Sequence, residues 1–387
     1  MSMQHLIRFI PAIALALISA GAAHAQGVRI LGRSEPERGG GFILQWPGSG
    51  FEAKFTGKRL TATIDDYGDN WLNVEIDGVA SKLDLQEGPT NYTLFNGTAG
   101  EHTIRITRRT GAPSGPTRVL DIRSDGPIAP TAMPERRMLV IGDSITSGYG
   151  VEGADQFCTY THATQNADLA YPALAAKDFG ADLHSISIDG YGLIRNYAGD
   201  DATMDKASWK MLPGGTSLWP GSVYQPQVIV INLGTSDFSA GDPGDRFDAA
   251  YIGMLRKLRA AYAEAKIFAV FGPMLSGDAY VAARASVFGA TETIRKDGDL
   301  RVSFIEFSPP QSARRFGCDW HPGLDAHRAM ATRLEAAVQK ELGWAMEATE
   351  LDGRPVPEGN PVVVWTGQAT AQSNGDPSPF SLSGSLQ

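Results

Sequence analysis

Two hydrophobic patterns divide the chain. Between residues 28 and 124, apolar and polar positions alternate in short runs such as Leu60–Ile64, Leu72–Ile76 and His102–Thr107, separated by Gly, Asn and Asp turns. A period of two predicts β-strands, and many short strands between turns favour a jelly-roll-like β-sandwich. We therefore expect an all-β N-terminal domain over residues 26–130.

The second pattern alternates strands with helices. Continuous apolar runs at Met138–Ile141, Val228–Leu233 and Lys266–Phe271 are typical of parallel strands that are buried on both faces. Apolar residues recur at helical spacing between such runs, most clearly within 324–342. This alternation predicts an α/β/α domain with a parallel sheet over residues 135–344.

Both ends of the chain have a different character. A weakly basic start, an apolar stretch from Phe9 to Ala20 and the sequence Ala23-His24-Ala25 are typical of an export signal that is cleaved after Ala25. The apolar stretch is short for a bilayer span, so a membrane anchor is the less favoured alternative. We expect residues 1–25 to be a signal peptide and the protein to be secreted or periplasmic. Residues 345–387 are polar and turn-rich, which predicts a flexible tail.

Composition narrows the classes of partner. Hydrophobic residues make up 42% and charged residues 20% of the 387 residues, which excludes a mostly disordered chain. The net charge of −9, without a Lys/Arg cluster, argues against nucleic acid or an anionic membrane as a partner. After the signal, no further apolar run is long enough to predict a membrane span. Nothing in the sequence indicates the oligomeric state.

Motifs for metals and cofactors are weak. The sequence has two cysteines, no Cys-x-x-Cys and no His-Glu-x-x-His, so we expect no metal. Residues 148–153 match Gly-x-Gly-x-x-Gly after a strand, but no strand ending in an acidic residue follows about 20 positions later. We therefore expect no dinucleotide or other cofactor.

A candidate nucleophile follows the first strand of the second domain. Met138–Ile141 runs into Gly142-Asp143-Ser144, and ligand sites of open α/β sheets lie beyond the C-terminal ends of the strands. A serine on such a turn points its hydroxyl into the crevice, and the next helix can donate N–H groups to an oxyanion. The alternative is a serine that only caps a helix.

A nucleophilic serine needs a base, and His321 is the best placed histidine. It follows the last predicted strand and precedes the last helix, and loops after the first and last strands open on the same edge, so Ser144 and His321 can meet. Asp319 lies two positions earlier. In an extended segment, residues two apart point to the same side, so Asp319 could orient the imidazole; a helix cap or a loop hydrogen bond is its alternative role. The other histidines beyond the signal are His102, His162, His184 and His327.

Four segments together resemble the SGNH (GDSL-type) hydrolases. They are Ile141–Gly150, Asn232–Ser239, Gly272–Leu275 and Cys318–Pro322. With a β-domain in front of them, they resemble carbohydrate esterase family two, whose members remove acetyl groups from plant polysaccharides such as xylan. The resemblance covers about residues 28–344. It implies an exported serine esterase that removes O-acetyl groups from acetylxylan or a related hemicellulose through an acyl-serine intermediate.

The resemblance also implies roles for individual residues. Ser144 is the expected nucleophile, and His321 the general base and then the general acid. The N–H groups of Ser144 and Gly190 are expected to donate to the oxyanion. Trp320 resembles the tryptophan that lines the acetyl or sugar site, and Asp237 is grouped with it as a substrate-binding residue.

Two departures from the family pattern leave questions open. The third family block reads Gly-x-Asn-Asp, but here Ser236 replaces the Asn whose side chain completes the oxyanion hole. Losing an oxyanion donor typically costs about 3 kcal/mol, so Ser236 either recovers part of this or the enzyme is slow. The family Asp usually lies three residues before the His, where this chain has Cys318. The orienting acceptor can be an Asp or a main-chain carbonyl, so the role of Asp319 stays open.

The two cysteines, Cys158 and Cys318, follow the nucleophile loop and precede the histidine, respectively. In an oxidising compartment a disulfide would tie these two loops together, and two buried free thiols are the alternative. Two other functions also stay open. One is a lipase or thioesterase on the same scaffold, and the other is a carbohydrate-binding protein with a decayed site, which the Ser236 departure favours.

Overall fold

A computed structural model describes residues 27–199, 202–308, 312, 314–347 and 364–365. The predicted signal peptide, residues 1–25, lies outside the described residues, as does the predicted tail apart from 345–347 and 364–365. The N-terminal strands are β1 (Arg29–Leu31), β2 (Ser34–Pro36), β3 (Phe42–Leu44), β4 (Gly50–Asp66), β5 (Trp71–Ile76), β6 (Val79–Asp84), β7 (Gly88–Arg108), β8 (Thr117–Ser124) and β9 (Ile128–Pro130).

These strands form one antiparallel sheet in the order β2-β3-β8-β4-β7-β5-β6, with β1 and β9 also paired to β4. Alternate side chains, among them Phe51, Ile64 and Val74, are buried in a common hydrophobic core. The antiparallel N-terminal domain is therefore confirmed. Strand β4 has 17 residues, far more than the predicted Leu60–Ile64, because a register shift after Gly57 breaks the alternation that marks a strand in sequence.

The second half of the chain forms the α/β domain. Its strands are β10 (Arg137–Gly142), β11 (Asp182–Ser187), β12 (Val228–Asn232), β13 (Lys266–Phe271) and β14 (Val302–Glu306). Its helices are α1 (Ser144–Ser147), α2 (Tyr171–Asp178), α3 (Met204–Ala207), α4 (Thr235–Phe238), α5 (Asp245–Ala261), α6 (Gly277–Lys296) and α7 (Leu324–Leu342). The five strands are parallel, in the order β11-β10-β12-β13-β14. A last short strand, β15 (Val364–Trp365), pairs antiparallel with β7 of the first domain.

Helices cover both faces of the parallel sheet. Val140 and Val230 share one buried cluster with residues of α2 and α7, whereas Ile141 and Ile231 share another with residues of α5 and α6. Apolar side chains on both faces explain why these strands are nearly continuous apolar runs. The predicted α/β/α layering is confirmed. Within the described part of the chain, no helix is long and apolar enough to cross a membrane.

The register of the sheet fixes the place of a site. Gly142, the last residue of β10, pairs with Ser187 at the end of β11 and with Asn232 at the end of β12. Three neighbouring strands therefore end at the same level, and the loops that follow them share one edge of the sheet.

The two domains are joined by more than the connector between Pro130 and Arg137. Trp46 and Ala112 of the N-terminal domain are fully buried in the same cluster as the α5 and α6 face of the α/β sheet. The Trp46 indole N–H donates to the carbonyl of Met211 at 2.7 Å. The domains thus share part of one hydrophobic core.

Candidate active site

Ser144 is the first residue of α1 and lies directly beyond β10. Asp143 precedes it as the N-cap, and its carboxylate accepts from the Ile145 N–H at 3.0 Å. The helix ends after one turn at Gly148, whose φ of 73° lies in the left-handed region. This tight strand–turn–helix leaves Ser144 only 9% exposed, with its hydroxyl at the sheet edge.

His321 reaches Ser144 from the far end of the sequence. Its Nε2 lies 2.8 Å from Ser144 Oγ, and its Nδ1 lies 3.2 Å from the main-chain oxygen of Asp319. A carbonyl oxygen can only accept, so Nδ1 carries the proton and Nε2 is free to accept from the serine hydroxyl. Burial lowers the pKa of His321 to about 4, which keeps the imidazole neutral at neutral pH.

The Asp319 carboxylate, however, does not contact the imidazole. Its Oδ2 accepts from the Tyr149 hydroxyl at 3.0 Å and from the Tyr160 N–H at 3.1 Å. The segment Cys318–Trp320 is a 3-10 turn rather than an extended strand, with φ of 51° at Asp319 and 63° at Trp320. This turn directs the carbonyl of Asp319 at the imidazole and its side chain elsewhere. Of the two acceptors that the sequence left open, the main-chain carbonyl of Asp319 is the one that contacts the imidazole, because the backbone here is a turn and not the extended segment in which residues two apart point to the same side.

A disulfide joins Cys158 to Cys318, across 160 positions of sequence. The Cys318 N–H also donates to the carbonyl of Gly150, and the Asp319 N–H to the carbonyl of Cys158, both at 3.0 Å. The structure has the disulfide rather than two free thiols at these positions. The bond fixes the histidine loop to the segment that follows the nucleophile.

Aromatic side chains lie beside Ser144 and His321. The ring of Tyr149 lies 4.2 Å from the imidazole of His321 and 4.1 Å from the ring of Tyr160, measured between centroids. Beyond them, Trp320 is 53% exposed and contacts Phe157, which is 75% exposed, edge to face. Sequence reasoning missed Tyr160 and Phe157, since both lie in an irregular segment with no periodic pattern.

The candidate oxyanion donors come from the loops after β10 and β11. The Ser144 N–H belongs to the first position of a helix and has no intrahelical partner. Gly190 adopts a φ of 77° in the turn after β11, and none of the hydrogen bonds among the described residues uses its N–H. Ser236 is buried near the start of α4, and its hydroxyl is likewise free of hydrogen bonds to described residues.

Asp237 faces the interior of the protein. It is fully buried, and its carboxylate accepts from the N–H groups of Leu193 and Ile194 at 2.8 Å and of Arg195 at 3.0 Å. The prediction that Asp237 binds substrate is therefore wrong. The carboxylate instead holds the segment that follows Gly190, one of the two candidate oxyanion donors from the main chain.

The remaining histidines have other environments. His102 pairs with Asp77 at 2.7 Å in the N-terminal sheet, and His162 lies 3.7 Å from Asp69. His184 and His327 are buried, and burial lowers the pKa of both. In the part of the chain that the structure describes, no group of three or more His, Cys, Asp or Glu side chains could hold a metal ion.

Comparisons with known proteins identify the family of the chain. Residues 30–134 match a family model described as "Carbohydrate esterase 2 N-terminal", and residues 140–329 match the "GDSL-like Lipase/Acylhydrolase family". The solved structure of a family two carbohydrate esterase from Clostridium thermocellum, in complex with cellohexaose, is 33% identical, with a TM-score of 0.79. The match covers 82% of this chain and all of that one. The chain belongs to carbohydrate esterase family two.

Two curated relatives extend the comparison. The "Cellulase/esterase CelE" of Acetivibrio thermocellus is 34% identical over 325 residues, and the match spans 82% of this chain but only 40% of that relative. An "Acetylxylan esterase / glucomannan deacetylase" of Cellvibrio japonicus is 28% identical over 337 residues, spanning 82% of this chain and 91% of the relative. The family predicted from the four sequence segments, a family of carboxylic ester hydrolases, is confirmed.

Proposed function

We propose that the protein is an exported carbohydrate esterase that removes O-acetyl groups from a plant polysaccharide, such as acetylxylan or a related hemicellulose. The observation that carries this proposal is the 2.8 Å contact between Ser144 Oγ and His321 Nε2, with Nδ1 held by the main-chain oxygen of Asp319. A serine paired in this way with an oriented imidazole is the arrangement that acyl transfer requires.

In the first half of the reaction, His321 Nε2 takes the proton from Ser144 as the hydroxyl oxygen attacks the acetyl carbonyl. The imidazolium that forms is stabilised by its hydrogen bond to the carbonyl of Asp319. His321 then gives the proton to the leaving sugar oxygen, and an acetyl-serine remains. Because burial lowers the pKa of His321 to about 4, the protonated form passes its proton on readily.

The N–H groups of Ser144 and Gly190 stabilise the negative charge of the tetrahedral intermediate by hydrogen bonds, and the Ser236 hydroxyl is a third, weaker donor. In the second half, water takes the place of the sugar and attacks the acetyl carbonyl while His321 accepts its proton; His321 then returns this proton to Ser144 Oγ as the bond to the acetyl group breaks and acetate leaves. Asp237 keeps the Gly190 side of the site in place through its three main-chain hydrogen bonds.

The surroundings of Ser144 favour a sugar substrate. Trp320, Phe157 and Tyr197 expose 53%, 75% and 75% of their surface near the catalytic loops, and exposed aromatic faces bind the apolar faces of sugar rings. The structural relative in complex with cellohexaose and the relatives named acetylxylan esterase / glucomannan deacetylase point to polysaccharides. The disulfide supports an oxidising, extracytoplasmic compartment, as the predicted signal peptide does.

The alternative that a specific observation favours is a carbohydrate-binding protein with little hydrolysis. Ser236 stands where the family pattern has an Asn, and its free hydroxyl is a poorer oxyanion donor than a fixed carboxamide. A weakened oxyanion hole would leave sugar binding by the exposed aromatic residues intact.

Initial rates on the 4-nitrophenyl esters of acetate, butyrate and octanoate, together with acetate release from acetylated xylan, test the proposal. We expect rates that fall with acyl chain length and that vanish in S144A. S81A is the matched control, because the Ser81 hydroxyl donates to the carbonyl of Val74 within the N-terminal sheet. Hydrolysis that survives in S144A would refute the proposed nucleophile. Glycan binding without any Ser144-dependent hydrolysis would favour the binding protein instead, and a preference for octanoate would favour a lipase or thioesterase.

A further inference from the structure

The side chain of Gln165 is fully buried between the two domains and beside the active-site loops. Its Oε1 accepts from the Gly111 N–H of the N-terminal domain at 2.8 Å and from the Tyr160 hydroxyl at 2.7 Å. Its Nε2 donates to Ser147 Oγ at 3.0 Å and to Asp189 Oδ2 at 3.2 Å. A carboxamide has two acceptor positions and two N–H donors, and all four are used here.

Two of these partners, Ser147 and Asp189, lie next to Ser144 and Gly190, the residues proposed to act on the reacting carbonyl. Ser147 belongs to the same single helical turn as Ser144, and its hydroxyl lies 3.0 Å from the carbonyl of Ser144. Asp189 directly precedes Gly190, and its other carboxylate oxygen is also hydrogen-bonded to Ser147. A shift of the Asp189 carboxylate would therefore move the Gly190 N–H relative to the nucleophile.

The third partner, Tyr160, connects Gln165 to the surroundings of His321, the proposed base. Tyr160 stacks on Tyr149, which in turn packs against the imidazole of His321. The main-chain N–H of Tyr160 also donates to the carboxylate of Asp319. Gln165 thus helps to hold the rings of Tyr160 and Tyr149 beside the imidazole, as well as the loop that carries the Gly190 N–H.

We propose that Gln165 is a positioning residue that sets the Gly190 N–H and the His321 imidazole relative to Ser144, and that Gly111 is its anchor in the N-terminal domain. The proposal rests on the proposed function, because it concerns the geometry of the same reaction. It gives the N-terminal domain a part in turnover, in addition to any part in substrate binding.

A charged side chain at this position would reveal the role through its pH dependence. In Q165E one carboxylate oxygen still accepts from Gly111 and Tyr160, but the other faces the carboxylate of Asp189. Two carboxylates in contact cannot both be ionised without mutual repulsion, so the pair retains a proton until the pH rises. With that proton the hydrogen bond to Asp189 persists, and without it Asp189 is pushed away and displaces Gly190. The other charged or titratable groups in electrostatic reach of Asp189 are Arg108, Asp143, Tyr149 and Tyr160.

The first experiment measures kcat and KM on 4-nitrophenyl acetate from about pH 5 to about pH 9 for the wild type, Q165E and the control Q227E. Gln227 also bridges main-chain groups, but at the opposite end of the sheet. We expect the ratio of kcat for Q165E to the wild type to lie near one at acid pH and to fall at least about tenfold at alkaline pH, with KM unchanged, because the lost interaction acts in the transition state. The ratio for Q227E should stay flat. A Q165E ratio that is equally flat would overturn the proposal.

A second variant disturbs the network around Gln165 and Asp189 from the other domain, and it provides the test if Q165E does not fold. Gly111 has an ordinary extended backbone, with φ of −70° and ψ of 166°. A Cβ there would overlap Asp189 Oδ2 and lie 2.9 Å from Gln165 Nε2. We expect G111A to lower kcat about tenfold while KM stays within about twofold. G214A is the matched control, since a Cβ at Gly214 meets nothing within 4 Å.

The outcomes separate the two proposals. A wild-type protein without Ser144-dependent hydrolysis would refute the proposed function, and the positioning role with it. An active wild type, with full kcat in G111A and no pH-dependent loss in Q165E, would refute only the role of Gln165.

Discussion

The most direct test of the catalytic geometry is the substitution D319N. In a Ser-His-Asp triad, exchanging the Asp for Asn lowers kcat by about 10⁴ because the imidazole is held in the wrong tautomer. Here the main-chain oxygen of Asp319 takes that position, 3.2 Å from His321 Nδ1. D319N leaves this carbonyl in place, so the tautomer should be preserved.

The structure also sets the size of the remaining effect. A single oxygen of Asp319 accepts from both Tyr149 and Tyr160, and the carboxamide oxygen of Asn can accept the same two bonds. Asn is among the residues that tolerate a positive φ, such as the 51° at this position. What is lost is the field of an exposed carboxylate on the imidazolium, which water screens. We therefore expect kcat to fall by less than about tenfold, or about 1.4 kcal/mol of the barrier.

The assay compares initial rates on 4-nitrophenyl acetate and thermal melting for the wild type, D319N and D319A. D319A removes the acceptor of both tyrosine groups and places a β-carbon without a polar partner at a positive φ, which costs roughly 1–2 kcal/mol. It should therefore melt lower and lose more activity than D319N. If D319N folds normally but loses about 10³-fold or more in kcat, the carboxylate acts on His321 after all, and the proposed role of the carbonyl is wrong.

Three further predictions concern the base, the oxyanion hole and the disulfide. His321 must be neutral to act as a base, so kcat/KM should hold as the pH falls from 8, decline only near pH 4, where its lowered pKa lies, and show no loss at the ordinary histidine pKa; a pH–rate profile checks this. S236N should raise kcat on 4-nitrophenyl acetate by about tenfold or more, because a carboxamide is a fixed donor; an unchanged or lower rate would mean that Ser236 does not face the oxyanion. Replacing Cys158 and Cys318 by Ser opens a connection across 160 positions, which in the loop-entropy model costs up to about 5 kcal/mol of the free energy of unfolding; urea denaturation without a drop in stability would contradict it.

The sequence carried enough information to predict that Ser144 and His321 meet. Ser144 and His321 lie 177 positions apart, yet the apolar strand runs, the Gly-Asp-Ser turn and the place of His321 after the last strand predicted their meeting at one edge of the sheet. This worked because parallel topology places the ends of all the strands on one side, whatever the loops contain. The disulfide was predictable for the same reason, since both cysteines flank loops on that edge.

The features of the site that the sequence did not predict depend on local backbone geometry. The sequence left open whether the carboxylate or a main-chain carbonyl orients the imidazole. Positive φ angles at Asp319 and Trp320 turn the carbonyl of Asp319 there, and no periodic pattern signals such a turn. Asp237 follows Ser236 in one of the four family segments, but its side chain is buried because it accepts from three main-chain N–H groups that need an acceptor there. Gln165 lies in an irregular segment, so only its four partners in space reveal it.

The shared core of the two domains limits where the chain can be divided without loss of stability. Trp46 is buried against the α/β sheet and donates a hydrogen bond to the carbonyl of Met211. The Gly111 N–H donates to the side chain of Gln165 in the second domain. Cutting the chain in the connector after Pro130 would strip a tryptophan from a core and open a buried hydrogen-bond network to water. A gene fusion must therefore carry both halves together. The match to the longer relative includes both halves, although it spans only 40% of that protein.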